Sequence, residues 1–233
     1  MRSIGVLLVI VGCHADGGGT AAPDAPAAPD DALMSKSLGI FVPWHADPPL
    51  PGALDEHFTI SSAAYAIAAF EVIGDAGPGD ERTTHTQYSI TWDASGAPVQ
   101  ETFPDAPVGM YSKVTVNMAG ASFGEFSYQI QGTWRDSGLT KPFNIVDYAR
   151  LSTTFDCQQT LAAGGSATIP ISIKLGDAMN AVDFRRLAVV DGVVQLAAPD
   201  PQLLVFRAAL VAAFKVSDSD DGGAPVPPGT PDN

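Results

Sequence analysis

A mainly β fold, an antiparallel two-layer β-sandwich with a C-terminal packed helix, is predicted by three observations. Apolar and polar residues alternate along several segments, the period of a strand with one wet face. Turn residues punctuate those segments at short intervals. The 233-residue chain also carries 23 Gly and 19 Pro, which favours many short strands over long helices.

The elements follow in order. Residues 61–72 are Ala-rich and fit strand or helix; we read them as strand. Thr86, Tyr88, Ile90 and Trp92 then alternate with His85, Gln87, Ser89 and Thr91. Val114, Val116 and Met118 alternate with Lys113, Thr115 and Asn117, and Phe126, Tyr128 and Ile130 with Ser127, Gln129 and Gln131. The cleanest run is Ala167, Ile169, Ile171, Ile173 and Leu175 against Ser166, Thr168, Ser172 and Lys174. Pro170 on its polar side predicts an edge, because proline cannot donate to a ladder. Asp93-Ala94-Ser95-Gly96, Asp136-Ser137-Gly138, Gly164-Gly165 and Asp191-Gly192 supply the turns. Residues 201–215 read as a helix, with Asp200 as cap, Pro201 in the first turn and Leu203, Phe206, Leu210 and Phe214 on one stripe. That helix is apolar almost all round, which predicts burial, and too short to cross a bilayer.

The flanks differ in kind. Met1-Arg2-Ser3 precedes the apolar run Ile4 to Val11, which has the layout of a secretory signal and is too short for a lasting span. Ile10-Val11-Gly12-Cys13 resembles the lipobox of bacterial lipoproteins. The resemblance implies cleavage before Cys13, acyl chains on Cys13, and a mature chain held at the cell envelope. His14, in place of the Asp that retains some lipoproteins at the inner membrane, points to the outer membrane of a Gram-negative cell. The alternative is a plain secretory signal with Cys13 incidental. The organisation expected is therefore signal peptide 1–12, Ala/Pro/Gly/Asp-rich tether 13–32, β domain 33–216 and a disordered acidic Pro/Gly-rich tail 217–233. An extended tether of this length reaches roughly 55 Å at about 3.1 Å per residue.

Within the domain, Pro107-Val108-Gly109-Met110-Tyr111 leads into a strand, Phe143-Asn144-Ile145 and the run 167–175 follow, and then Asp183-Phe184. This layout resembles a family of uncharacterised domains common in exported bacterial lipoproteins. It implies a β-sandwich and export, and no catalytic residue.

Charge narrows the partners. Twelve Lys and Arg against 26 Asp and Glu give a net charge of -14, the wrong sign for nucleic acid. It also repels anionic lipid headgroups, so membrane contact is expected through the acyl chains on Cys13 alone. With Cys13 lipidated, Cys157 has no intramolecular partner and is expected to be an inert thiol.

Three patterns resemble active sites. Gly120-Ala121-Ser122-Phe123-Gly124 fits a nucleophile elbow, but strand alternation follows it and all four histidines, His14, His45, His57 and His85, precede Ser122. We read it as a hairpin loop. Asp136-Ser137-Gly138 resembles an aspartic-protease motif but occurs once, which fits a β-turn. Asp218, Asp220 and Asp221 offer oxygen ligands without the closing Glu of a calcium loop. No catalytic, cofactor or metal residue is therefore assigned. The expected function is a non-enzymatic, lipid-tethered binding or interaction module for a protein or glycan ligand, with the loop at 43–51 as a contact surface where Trp44 is either exposed or packed onto the domain edge. An envelope serine hydrolase using Ser122 and a purely structural surface lipoprotein are the alternatives.

Overall fold

The computed structural model describes residues 37–74, 81–98, 100–120 and 125–217, giving the backbone course alone for 81–87. In chain order the first strands are β1 (Gly39–Val42), β2 (Trp44–Ala46), β3 (Gly52–Ala53), β4 (Phe58–Gly74), β5 (Glu81–Trp92), β6 (Glu101–Phe103) and β7 (Gly109–Met118). Next come β8 (Tyr128–Asp136), β9 (Leu139–Asp147), β10 (Leu151–Leu161), β11 (Ser166–Thr168), β12 (Ile171–Ile173) and helix α1 (Leu175–Asn180). A 3-10 turn at Phe184–Arg186, β13 (Ala188–Val190), β14 (Val193–Leu196), α2 (Gln202–Ala213) and β15 (Phe214–Val216) complete the described domain. It is a mainly β sandwich with a small helix near its C-terminal end.

The Ala-rich segment is the axis of the large sheet. Its inward residues Ile60, Ala63, Tyr65, Ile67, Phe70 and Val72 are buried, while Ala64, Ala66, Ala68 and Ala69 stay half-buried on the outer face. β5 pairs with β4 from Ala63 to Ile73, overlapping the stretches bound by β7 (Ile67 to Gly74) and β8 (Phe58 to Tyr65). A strand has two edges, so β7 and β8 must share the edge opposite β5, lying end to end. Ala66 spans the joint: its N–H donates to Ser127 O (2.9 Å) and its carbonyl accepts from Ala119 N (3.1 Å). β9 and β10 repeat this arrangement one strand further out, β9 along β8 and β10 along β7.

The hairpin reading of Gly120 to Gly124 falls on residues that lie mostly outside the described ones, but the strands on either side do not form a hairpin. β7 and β8 run in the same direction and do not pair with each other. Gly120 and Glu125 approach closely, since a Cβ on Gly120 would lie 2.2 Å from Glu125 O. Alternation on both sides looks the same for either arrangement, so the sequence pattern could not separate them.

The second layer is built from short strands. β1 pairs in parallel with β11 and β2 with β12, and one register runs through both ladders, Gly39 opposite Ser166 and Trp44 opposite Ile171. Pro43 and Pro170 meet at the break. Ile169 N and Ile171 N donate to Phe41 O and Pro43 O, so the N–H that Pro170 lacks would have pointed to the other side. There β15 begins its own ladder and needs only Pro170 O, which accepts from Ser217 N at 2.8 Å. β9–β14 is the third parallel pair. Parallel partners lie far apart in the chain and leave no local turn signal, which is why alternation alone suggested antiparallel pairing throughout.

Ring contacts tie the layers together. Trp44 lies 5.5 Å from Phe70, Phe103 lies 5.8 Å from Phe70, and Phe214 lies 5.8 Å from Tyr65. α2 covers the β7–β8 joint, with Phe206 5.7 Å from Tyr128 and with Leu203 and Leu210 buried. Asp200 accepts from Gln202 N at 2.8 Å, as its capping role predicts. Two expectations need correction here. The run to Leu175 stops as strand at Ile173, because Lys174 N turns to Ala213 O and α1 begins. Phe214 leaves the helix for β15, and the far side of α2 is open, with Leu204 63% and Val205 46% exposed. Among the described residues, no helix is long and apolar enough to cross a membrane.

Candidate functional site

The residues singled out by sequence fall in scattered places. Cys13, Ser122 and the Asp218, Asp220 and Asp221 group lie outside the described residues, as does the His85 side chain. Trp44 is packed and not a contact residue: it is 4% exposed, opens β2 opposite Ile171, and lies in the core against Phe70. His45 lies on β2 and His57 in the bend before β4. Among the described residues, no three His, Cys, Asp or Glu side chains gather as a metal site. Cys157 is buried, donates to Tyr111 O at 3.5 Å, and has its thiol pushed up to about 11 by burial and by the neighbouring Asp156.

Asp136-Ser137-Gly138 is a turn, as expected, and it leads to the most structured surface feature. Ser137 (φ 50) and Gly138 (φ 84) form the two-residue loop between β8 and β9, with Asp136 paired to Leu139. The Asp136 carboxylate accepts from Arg185 through Nη2 (2.9 Å) and Nε (3.3 Å). That bidentate hydrogen bond holds the Asp136 carboxyl below the usual carboxylate range, and Asp136 in turn raises Arg185. Arg185 is delivered by the 3-10 turn, whose own cap is Asp183, accepting from Arg185 N at 3.2 Å.

Beneath this pair lies an aromatic floor. Phe184 packs 4.8 Å from Phe58, 5.5 Å from Phe143 and 5.8 Å from Trp134. The floor and the Asp136–Arg185 strap border two adjoining cavities. One, about 160 Å³, is polar at its rim, with His57, Arg135, Asn180 and Asp183. The other, about 180 Å³, is lined by Leu139, Leu187, Val189 and Val194, with Lys141 and Ser137 at the edge. Trp134, Asp136, Phe184 and Arg185 line both, so the two form one groove crossed by an ion pair.

The polar lobe has a fixed wall. Asp55 accepts from His57 N (2.7 Å), Phe58 N (2.8 Å) and Asn180 Nδ2 (3.2 Å), tying the end of α1 to the start of β4. Burial works against its charge, but those hydrogen bonds prevail and hold its pKa low. The His57 ring nitrogen Nδ1 lies 3.2 Å from Arg135 O, and the backbones join through Arg135 N to His57 O at 2.8 Å.

Sequence reading did not assemble this groove. Asp136 is legible in the sequence, but only as part of a turn that resembles a protease motif. An indole two residues before a hairpin turn was the available signal; its pairing with a 3-10 turn some 50 residues on had none. Comparison with known protein families, with curated proteins and with solved structures finds no match to this chain.

Proposed function

We propose that this chain is a non-enzymatic binding module, tethered to the cell envelope by acyl chains on Cys13, and that the groove beside Asp136 and Arg185 is its binding surface. The observation that carries the reading is the groove itself, an aromatic floor bordered by planar, hydrogen-bonding side chains. Aromatic and Arg side chains are the groups enriched where proteins hold partners, because they offer large contact area and directed donors together. Arg185 commits Nε and Nη2 to Asp136, which leaves further N–H donors for a ligand. The lipobox-like Ile10-Val11-Gly12-Cys13 and the tether that follows support display on the outer membrane.

The test is a titration of the isotopically labelled chain with glycan, peptide and small organic-acid panels, followed by NMR. Ligands should shift the Trp134 indole N–H and the Arg185 Nε–H together. A ligand that binds tightly while shifting neither signal would remove the groove from its role, as would panels that leave both unmoved.

A further inference from the structure

The apolar lobe carries a more specific chemistry, which rests on the groove being the binding surface. Its volume, about 180 Å³, is close to that of a protein cavity of about 150 Å³ known to hold one benzene ring. Trp134, Phe184, Leu187, Val189 and Val194 give it apolar walls. Lys141, on β9 directly across from Trp134, stands at its edge and is half-buried. Among the described residues Lys141 has no ion-pair partner, whereas Asp136, the carboxylate nearest in the lining, is already held twice by Arg185. Lys141 thus offers an ammonium without a counter-ion beside an apolar pocket, where an anionic group can pair with it.

We propose that this lobe binds a small carboxylic acid with one ring-sized apolar group, the ring on the Trp134–Phe184 floor and the carboxylate on Lys141. Only an anion completes the lysine, and only a compact apolar group fits the walls. A carboxylate also matches the spare N–H groups of Arg185 at the same rim. The polar lobe is then left for the remainder of a larger ligand.

The probe is 3-phenylpropionate, added to the full chain in detergent and followed by tryptophan fluorescence. Trp44 and Trp92 are 4% and 2% exposed, so a ligand on the surface reports through Trp134. Saturable binding is expected, with 3-phenylpropionamide and 3-phenylpropanol weaker by tenfold or more. Lys141→Met, which keeps an apolar stem of similar length, should lose the acid's advantage while leaving the melting temperature near that of the parent. Equal binding of acid and amide, or an unchanged preference in Lys141→Met, overturns the assignment. So does binding of a peptide ending in Phe with a free carboxylate when the free acid fails. If neutral ligands still shift Trp134 while the acid does not, the ligand class fails and the groove stands. If nothing shifts it, both fall.

Discussion

Arg207 of α2 grips Asp147 at the end of β9 through two hydrogen bonds, Nε to Oδ2 at 2.6 Å and Nη2 to Oδ1 at 2.7 Å. The carboxylate is 2% exposed and also accepts from Tyr148 N and Ala149 N, while Ser127 N donates to the Asp147 carbonyl at 2.7 Å. This one residue therefore binds the helix, the β9–β10 joint and the β7–β8 joint. Asp147→Ala removes the acceptor and leaves Arg207 over a largely apolar surface, so we expect a loss of about 3 kcal/mol, read as a lower urea midpoint. Arg207→Met should cost at least as much as Asp147→Ala, because it leaves the more deeply buried carboxylate of Asp147 with only the Tyr148 and Ala149 N–H groups.

The same pair sets an acid limit. Burial alone would raise the Asp147 pKa, yet the Arg207 hydrogen bonds and backbone N–H groups outweigh it and the net direction is down. A folded pKa below the unfolded value of about 3.9 gives stability that is complete above that pH and lost as pH falls through the folded value. The stability gap between the parent and Asp147→Asn should therefore be constant from neutral pH to about 5 and narrow below about 4. A gap independent of pH down to acid unfolding would show that Asp147 is not depressed.

Much of the sandwich was legible because burial follows period two along β4, β7 and β8, and along 166–171, until Ser172 is buried between Ile171 and Ile173. The helix at α2 was legible from its cap and stripe. What the pattern hid was relation between segments: which strands are collinear, which pair in parallel, and that Asp147 awaits Arg207. Short strands such as β13 and β14 were also missed, since three or four residues carry too little period to detect. The candidate groove depends on such relations throughout, so only its turn could be read in advance.

Close approach separates two glycines sharply. A Cβ on Gly132, in the middle of β8, would lie 2.1 Å from Thr59 O and 3.0 Å from Ile60 Cα, both backbone atoms beside the β4 bulge. Gly132→Ala must push β8 off β4, and we expect destabilisation of about 2 kcal/mol or more. Gly176, in α1, has nothing within 4 Å of the same position. Alanine there gains helix propensity without a clash and should stabilise by up to about 1 kcal/mol. Thermal denaturation of the two variants should move in opposite directions.

Cys157 should behave as a packed side chain. With its thiol pushed up to about 11 and 5% of its surface accessible, little thiolate is present at pH 8. A disulfide reagent should modify the native chain at least a hundredfold more slowly than the urea-unfolded chain. Rapid native labelling would mean that β10 opens locally at its bulge between Asp156 and Gln159.

The proposed attachment at Cys13 would determine where the groove is displayed. Two or three acyl chains there would each contribute about 0.8 kcal/mol per buried methylene, together more than a single chain's marginal hold, and the acidic domain would add no attraction to anionic lipid. Cells expressing the parent chain and fed radiolabelled palmitate should yield a labelled protein in the membrane fraction, whereas Cys13→Ser should be unlabelled and released by mild washing. The groove variants Lys141→Met and Trp134→Ala should keep the label and the membrane fraction while losing ligand. Loss of membrane retention in those variants would tie the groove, and not the acyl chains, to the envelope. Retention of Cys13→Ser at parental levels would remove the lipid anchor from the account.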